Sequence, residues 1–550
     1  MLARTGQAVL AGSLGVPFFV RAANKAAERW PHGAVVGENT GMRVGEKILA
    51  EGGNAIDAAV GAMLAASVAA PARCGIGGYG GFATIALTGG KKTTTIDFNT
   101  AAPAAATAGM FPLDDKGAVK DRVNFYGWKA VGVPGVLAGL QQALDRYGTR
   151  PFREVVQPAI RIARDGVPIN KIFAGTIHAA EQQFAKDPAS VKLYFKDGRV
   201  LQEGDVLRNP DLAQMLSVLA QRNSVESFYR GDLAQRIGEA CQRNGGLLTA
   251  KDLSAYRARE VHPLQLSYNG FDVFTAPLTA GGVTTLEALS ILKALDWQPS
   301  GESGPAAHAR LEALRLAWKD RLELFGDPAF VKIPVKKLLA RDYALELAAK
   351  VRGAVKEKKP LAVNVAPHHD AGTTNISSVD RHGNLCAITA THGNGFGAQV
   401  TLEGLGLTLG HGMSRFDPNP QHPNAPGPGK RPVMNVCPTV VLKSGKPILA
   451  IGGGGGEKIP NGIFDALTQY VVQHATMESA IAAPRVHNMG TLYVAVEPHC
   501  PAAASQYLKD VGFNVQTWES SAVFNGVSFD PANGECRGTI RGPAALELRL

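Results

Sequence analysis

A glycine followed by two threonines, at the start of a strand-like stretch, is the most chemically suggestive feature of this 550-residue chain. Gly372 leaves its own carbonyl unobstructed, and Thr373 carries a hydroxyl that could attack it. If that peptide bond broke, Thr373 would become an N-terminal threonine, whose α-amine can activate its own hydroxyl. An ordinary turn into a strand is the alternative interpretation, because glycine and threonine are both favoured there.

Two other stretches could complete a site around Thr373. Thr391 ends the next predicted strand, 385–391, and neighbouring antiparallel strands bring hydroxyls at alternating positions within reach of each other. Five glycines, 452–456, follow a predicted strand at 448–451, and their exposed backbone N–H groups could bind an oxyanion. A flexible turn is the alternative for the glycines, and the spacing of the following residues excludes a P-loop.

The elements that must position these residues follow from the hydrophobic pattern. A helix rich in small residues is predicted at 55–70, a hairpin at 82–98, and helices through most of 130–350, including one at 152–165. After Thr373 the pattern indicates mainly strands, with a helix at 463–474. The sequence therefore predicts one large α/β unit, with a helical layer on each face of stacked sheets.

Composition excludes several classes of function. The net charge of +10 is spread along the chain, and its one dense basic patch, 356–359, has no interleaved aromatic residues, so nucleic-acid binding is not expected. Six widely spaced cysteines without a C-x-x-C pair predict neither a disulfide framework nor a zinc site. His368 and His369 could be metal ligands, but an exposed loop pair is the simpler interpretation, and no metal is predicted.

The N-terminal 30 residues have the pattern of an export leader. Arg4 precedes an apolar run at 8–20, which small residues follow, although Arg21 is awkwardly placed for cleavage. The prediction is a periplasmic or secreted protein, with an N-terminal helix of a cytoplasmic protein as the alternative. No segment approaches the roughly 18 apolar residues that an integral membrane span needs.

The chain resembles the γ-glutamyltransferase (γ-glutamyltranspeptidase) family of N-terminal-nucleophile hydrolases. A dozen short pieces, each weak alone, match the family in order over nearly the whole length after the leader. They include 52–59, 75–78, 102–104, 133–135, 156–159, 244–246, 326–328, 373–374, 430–432, 438–439 and 483–485.

This resemblance implies a four-layer αββα sandwich and a precursor that cuts itself between Gly372 and Thr373. A large subunit, 31–372, and a small subunit, 373–550, would stay associated. Thr373 would attack an amide, form an acyl-enzyme and pass the acyl group to water or an amine, with no cofactor. Thr391 matches the family's orienting threonine, and Gly455 and Gly456 match its oxyanion-hole glycines.

The match fails where the family holds a γ-glutamyl group. The arginine expected two positions after Asp97 is Asn99, and the acid expected before Phe416 is Arg415. The carboxylate-binding arginine is thus absent, and the acid that would pair with an ammonium has become a cation.

Two further pairs of substrate-pocket positions also differ. The expected serines are Met434 and Asn435, and the expected asparagine is Gly393, with Asn394 next to it.

A charge-assisted contact to an arginine contributes roughly 1.5–3 kcal/mol, so these changes predict an altered substrate. We expect an active threonine amidohydrolase whose preferred acyl group is not γ-glutamyl, for example one with a carboxylate that Arg415 meets. Two alternatives stay open: a true glutathione hydrolase, and a catalytically degenerate relative that serves as a binding or scaffold protein.

Overall fold

The computed structural model describes residues 30–88, 92–298, 303–363, 365, 372–519 and 522–542. The predicted leader, apart from its last residue, and the pair His368–His369 lie outside these described residues. No helix within the described ranges is long and apolar enough to cross a membrane.

Two six-stranded antiparallel sheets form the centre of the fold. The first consists, in spatial order, of β1 (Gly33–Val36), β7 (Thr374–Asp380), β8 (Leu385–Thr391), β2 (Gly80–Leu87), β3 (Lys92–Asp97) and β4 (Arg259–Val261). The second consists of β12 (Cys536–Arg541), β11 (Val523–Phe529), β10 (Lys446–Gly454), β9 (Thr439–Lys443), β6 (Phe271–Thr275) and β5 (Leu264–Tyr268).

Helices and short elements connect and cover these sheets. The helices are Asn39–Ala50, Ala55–Ala69, Val136–Tyr147, Phe152–Val155, Gln157–Asp165, Lys171–Phe184, Pro188–Tyr194, Pro210–Arg222, Glu226–Arg230, Asp232–Arg243, Ala250–Ala255, Gly282–Ala294, Gly304–Leu324, Val335–Leu338, Arg341–Glu357, Lys458–Leu467, Met477–Ala482 and Ala502–Val511. Short 3₁₀ segments lie at Lys120–Arg122, Trp128–Ala130 and Gly412–Arg415, with a π-helical turn at Thr468–Val472. The remaining strands are Val167–Pro168, Phe195–Lys196, Arg199–Val200, Val206–Leu207, Thr401–Leu402, Leu407–Thr408, Val486–His487, Tyr493–Val496 and Asn514–Thr517.

The layers follow the order helix, sheet, sheet, helix. Ala55–Ala69, which is buried on every side, packs on the first sheet, while Gly282–Ala294 and Gly304–Leu324 belong to the core on the outer face of the second. Between the sheets lies a thin apolar layer of mostly small side chains that includes Ala34, Ala387 and Ala450. The four-layer αββα sandwich that the resemblance implies is confirmed, and its antiparallel sheets place it in the α+β class.

The Ala55–Ala69 helix is fixed at its start by Asn54. The Asn54 side chain accepts hydrogen bonds from the N–H groups of Ile56 and Asp57, and the Asp57 carboxylate accepts one from the Asn54 N–H, which makes a capping box. Capping matters here because a buried helix end has no water to satisfy its free N–H groups.

Three predicted boundaries are wrong for identifiable reasons. The single helix at 152–165 is two helices that meet at Val156, because Pro158 has no N–H to donate to the preceding turn. The strand predicted to end at Ile451 continues through Gly454, since β11 pairs with the glycines themselves. The helix predicted to run to His474 becomes a π-helical turn after Leu467.

Candidate active site

Thr373 and Thr391 lie side by side where β7 begins and β8 ends. Thr374 pairs with Ala390 in the sheet, so Thr373 is the residue that faces Thr391. The Thr373 hydroxyl donates to Thr391 Oγ1 at 3.2 Å, and both side chains are buried, with 6% and 1% of their surface exposed. The register of one antiparallel pair thus brings the two hydroxyls predicted from the sequence into contact.

The Thr391 hydroxyl links Thr373 to the peptide bond that precedes it. Thr391 Oγ1 donates to the carbonyl oxygen of Gly372 at 2.6 Å and accepts the N–H of Gly393 at 2.8 Å. Because a hydroxyl has one proton, donation to Gly372 makes Thr391 an acceptor toward Thr373. A hydrogen bond on the Gly372 carbonyl oxygen is placed to stabilise negative charge that develops there during attack on its carbon.

Gly372 is a glycine for a steric reason that the sequence did not show. Its φ is +97°, and a Cβ at this position would lie 2.1 Å from the carbonyl oxygen of Gly393. Any other residue would both strain the backbone and collide with the loop that follows β8. The tight fit is what brings the Gly372 carbonyl to Thr391.

The glycine run at the end of β10 packs directly against Thr373. A Cβ on Gly454 would lie 2.2 Å from the Thr373 carbonyl oxygen, and one on Gly452 would lie 2.0 Å from Asn375 Oδ1. Glycines at these positions let the second sheet approach the start of β7 closely. Gly455 and Gly456, with φ of +139° and +64°, follow at once.

The Lys458–Leu467 helix starts from these last two glycines. The N–H groups of Lys458 and Ile459 donate to the carbonyls of Gly455 and Gly456 at 3.3 and 3.1 Å. The positive end of the helix dipole therefore follows directly after the glycines that pack against Thr373, and N–H groups at such an end favour an anion. The prediction of a glycine-lined oxyanion site next to Thr373 remains consistent with this geometry.

A buried polar network joins the sheets behind Thr373. Asn525 on β11 accepts from Asn375 Nδ2 and Ser377 Oγ, both at 2.8 Å, and its own Nδ2 donates to the Asn375 carbonyl at 2.9 Å. Thr389 donates to Asn375 Oδ1 at 2.6 Å. These hydrogen bonds fix the position of β7 relative to β8 and β11. The position of Thr373, which directly precedes β7, depends on them.

His411 supports the loop that carries Gly393 and Asn394. Its Nε2 accepts the N–H of Asn394 at 2.5 Å, its Nδ1 contacts the Ser414 hydroxyl, and the ring is fully buried. Burial and the nearby Arg415 cation lower the His411 pKa to about 3, so the ring is neutral at physiological pH.

Arg415 is half-buried at the end of the Gly412–Arg415 turn, and a second arginine that the sequence analysis missed lies near it. Arg321 is 5% exposed and donates from Nη2 to the Met434 carbonyl at 3.0 Å and to Asn435 Oδ1 at 2.7 Å. Its Nη1 contacts no hydrogen-bond partner among the described residues. Burial and the Arg415 charge lower the Arg321 pKa to about 9.

A usable signal for Arg321 existed in the sequence. Leu314, Ala317 and Trp318 belong to the buried face of the Gly304–Leu324 helix. Arg321 follows them by seven, four and three residues, so it lies on the same face. A charged residue in such an apolar stripe is a candidate for a functional cation.

Asn99 and Met434 are withdrawn from solvent. Asn99 is fully buried, and its amide group donates to Thr279 Oγ1 and to the Pro432 carbonyl, both at 2.7 Å. Met434 is fully buried as well, with its N–H bonded to the Thr279 carbonyl at 2.9 Å. Asn99 thus lies in the protein interior, while Asn394 contacts His411, Asn435 contacts Arg321, and Arg415 lies near both His411 and Arg321.

A model of the gamma-glutamyltranspeptidase family matches residues 41–544. The chain belongs to the gamma-glutamyltranspeptidase family. It is therefore an enzyme of the N-terminal-nucleophile type, a self-processing hydrolase or acyltransferase.

Three relatives illustrate the breadth of this gamma-glutamyltranspeptidase family. The chain is 35% identical over 500 residues to a glutathione hydrolase proenzyme of Pseudomonas sp. (strain A14), which covers 88% of this chain and 86% of that protein. It is 34% identical over 508 residues to the acylase ACY 1 proenzyme of Pseudomonas sp. (strain V22), with 91% and 89% covered. Among solved structures it is similar to a cephalosporin acylase from Bacillus halodurans, with TM-score 0.84, 27% identity and 93% and 94% of the two chains covered.

Proposed function

We propose that this chain cleaves itself between Gly372 and Thr373, and that Thr373 then serves as the nucleophile of an amide hydrolase. The observation that carries the proposal is the pair of hydrogen bonds from Thr373 to Thr391 at 3.2 Å and from Thr391 to the Gly372 carbonyl at 2.6 Å. The attacking hydroxyl and a donor to the attacked carbonyl are already joined in the uncut chain.

The self-cleavage step needs only the atoms at this site and water. Thr373 Oγ1 attacks the Gly372 carbonyl carbon, the carbon–nitrogen bond breaks, and an ester to Oγ1 forms. The hydroxyl proton is transferred to the departing nitrogen, which becomes the free α-amine of Thr373. Water then hydrolyses the ester, which leaves a carboxylate on Gly372 and restores the Thr373 hydroxyl.

In the processed enzyme the same groups would act on an external amide. The Thr373 amine, with a reference pKa near roughly 8, takes the hydroxyl proton and returns it to the leaving amine. Thr391 orients the hydroxyl, and the N–H groups of Gly455 and Gly456 receive the oxyanion. Water or an amine then removes the acyl group from Thr373.

We further propose that the acyl group carries a carboxylate that Arg415 meets. A γ-glutamyl ammonium group would face the Arg415 charge, with the Arg321 charge close by, and the Asn99 amide nitrogen, which could otherwise donate to a ligand carboxylate, donates to Thr279 and to the Pro432 carbonyl. Glutathione hydrolysis is the second candidate, which the 35% identity to a glutathione hydrolase proenzyme favours.

Two measurements test these proposals in turn. Wild-type protein should give two bands on a denaturing gel, with one N-terminus at Thr373, whereas Thr373→Ala should give one. A single intact band for both proteins would contradict the proposed cleavage between Gly372 and Thr373.

The substrate test uses two anilides that differ only in an amino group, γ-glutamyl anilide and pentanedioic acid monoanilide. We expect wild-type enzyme to prefer the pentanedioic compound in kcat/KM by about tenfold or more, because only γ-glutamyl anilide places an ammonium group near the Arg415 cation, and two like charges about 4 Å apart repel by roughly 1–4 kcal/mol. Arg415→Asp should reverse the preference, and Arg415→Met, a neutral control, should remove it. Higher wild-type turnover of γ-glutamyl anilide would contradict the carboxylate proposal and favour glutathione hydrolysis.

Export is also a proposal, which rests on the leader-like pattern of residues 1–30. Cell fractionation after expression in a Gram-negative host tests it, since an exported protein should be found in the periplasm and should begin near or after Arg21.

A further inference from the structure

One peptide unit beside the two threonines, the one that joins Gly393 to Asn394, is held from both ends. Its N–H donates to Nε2 of His411 at 2.5 Å. Its carbonyl oxygen lies so close to Gly372 that a Cβ there would be 2.1 Å from it. The C=O and N–H groups of a trans peptide point in opposite directions. The imidazole and Gly372 therefore lie on opposite sides of this peptide and fix its position.

The imidazole also packs on Gly393 itself. A Cβ on Gly393 would lie 2.2 Å from His411 Nε2 and 2.3 Å from Cε1, so only glycine lets the ring approach this closely. The ring is fully buried, and its centroid lies 5.2 Å from that of Phe125 and 6.4 Å from that of Tyr79. These aromatic neighbours hold the ring against the peptide.

The hydrogen bonds around His411 fit one tautomer of a neutral imidazole. Ser414 donates its single hydroxyl proton to the His411 carbonyl at 2.9 Å, so its oxygen accepts from the Nδ1–H that it contacts. With the proton on Nδ1, Nε2 keeps the lone pair that the Asn394 N–H needs. A charged ring would carry a proton on both nitrogens and lose this bond, but burial lowers the His411 pKa to about 3 and keeps the ring neutral.

The peptide held in this way decides where the Thr391 hydroxyl donates. The two lone pairs of Thr391 Oγ1 accept the Gly393 N–H at 2.8 Å and the Thr373 hydroxyl at 3.2 Å. Its one proton therefore goes to the Gly372 carbonyl, at 2.6 Å. If Gly393 moved away, the Thr391 proton could point elsewhere, and the carbonyl would lose its donor.

We propose that His411 is a positioning residue for the reaction, which acts on Thr391 through the Gly393–Asn394 peptide. The inference rests on the self-cleavage and amide hydrolysis proposed above. His411 would hold the Gly393 N–H in place before the cut, and afterwards while Thr391 orients the nucleophile. Misplacement of a reacting group by about 1 Å can slow a reaction about a hundredfold, so loss of the His411 contact should slow both steps.

Two amide variants that differ by one methylene group test this role. The side-chain oxygen of His411→Gln is as many bonds from the backbone as Nε2 is, so it can accept the Asn394 N–H. That of His411→Asn is one bond nearer the backbone and reaches only the place of Nδ1, beside Ser414. We expect His411→Asn to slow the conversion of precursor into two bands by at least about tenfold relative to His411→Gln. Its processed form should have a lower kcat, with KM within about twofold.

Coupling to Thr391 separates this role from a general effect on the fold. In Thr391→Val protein the Gly393 N–H has no hydroxyl to direct, so adding His411→Asn should slow processing by less than about twofold. The same slowing in both backgrounds would overturn the inference, because a general loss of packing does not depend on the Thr391 hydroxyl. Equal processing rates for His411→Asn and His411→Gln would overturn it as well.

Ser414→Ala provides a milder measurement, which keeps the imidazole and removes the partner of Nδ1. Melting temperatures in the Thr373→Ala background show whether each variant is folded, and Ser414→Ala decides the matter if His411→Asn is not. It should slow processing about two- to tenfold, the effect of one hydrogen bond, and should have no effect in Thr391→Val protein. A wild-type rate for Ser414→Ala would count against the inference.

Failure of the proposed function would give a different result. Thr373→Ala protein that is still cut, or wild-type protein that stays intact, would refute the cleavage site itself, whatever the His411 variants do.

Discussion

At the scale of single residues, the Thr391 hydroxyl makes two hydrogen bonds that bear on the reaction. It accepts from Thr373 and donates to the Gly372 carbonyl, so Thr391→Val should damage both the self-cleavage and the later amide hydrolysis. Loss of one donor to a developing oxyanion typically slows a reaction by about 10²–10³. We expect that range for the precursor's processing rate, measured by densitometry over time.

Thr391→Ser is the matched control for this change, since it keeps the hydroxyl and loses only a methyl group. It should process within about tenfold of wild type. If Thr391→Val processed as fast as Thr391→Ser, the hydroxyl would have no part in the cleavage, and the contact with Gly372 would be structural only.

The two buried histidines near Thr391 predict an acid-sensitive fold. Burial lowers the pKa of His392 to about 3, and burial together with Arg415 does the same for His411. Unfolding returns each ring to its ordinary pKa of about 6.5. Their contribution to stability is therefore complete above pH 6.5 and is lost as the pH falls from 6.5 toward 3, by up to about 1.4 kcal/mol per pH unit for each ring.

His392→Leu isolates one of these rings. Neither ring nitrogen of His392 contacts a hydrogen-bond partner among the described residues, so leucine removes the titration with little loss of bonding. Denaturant unfolding of uncut Thr373→Ala protein at pH 7.5 and 5.0 should show a smaller drop in the free energy of unfolding for the double variant. An identical drop in both proteins would mean that His392 is not buried as a neutral ring.

At the scale of elements, the glycine end of β10 decides how closely the sheets approach at Thr373. In Gly454→Ala the new Cβ would lie 2.2 Å from the Thr373 carbonyl oxygen, a distance that real Cβ atoms do not tolerate. The strand or Thr373 must move, so we expect processing to fall by about a hundredfold or more. Gly353→Ala, on a helix with nothing within 4 Å of the new Cβ, is the control and should process normally.

If Gly454→Ala matured at the wild-type rate, the close packing of β10 on Thr373 would not matter for the reaction. Whether Gly454→Ala protein is folded is checked by its melting temperature in the Thr373→Ala background, compared with that of Thr373→Ala alone. A folded but unprocessed Gly454→Ala protein is the expected result.

Elements also show what the sequence could predict. Leu385–Thr391 was predicted to its last residue because a short run of apolar and β-branched residues is typical of a buried strand. The continuation of β10 through Gly454 was not predicted, because glycine is a weak strand former. Only the pairing with β11 shows that these glycines belong to the strand. Similarly, the contact between Thr373 and Thr391 followed from strand neighbours, whereas the link from His411 to Asn394 joins loops whose path no local pattern specifies.

At the scale of the whole molecule, strands from both sides of the proposed cut alternate within the sheets. In the first sheet, β7 and β8 lie between β1 and β2, so the small subunit would occupy the middle of a ladder whose outer strands belong to the large one. In the second sheet, β9 of the small subunit pairs with β6 of the large. Separation of the two subunits would therefore break three ladders, β1 with β7, β2 with β8 and β6 with β9. It would also expose the apolar layer between the sheets.

This interleaving predicts that the two subunits come apart only by unfolding. Processed protein should elute from gel filtration as one species of the same size as uncut Thr373→Ala, while a denaturing gel shows two bands. In increasing urea, dissociation measured by sedimentation should coincide with loss of secondary structure measured by circular dichroism. Free, folded subunits at an intermediate urea concentration would contradict the shared sheets, because neither part could then depend on the other's strands for its edge hydrogen bonds.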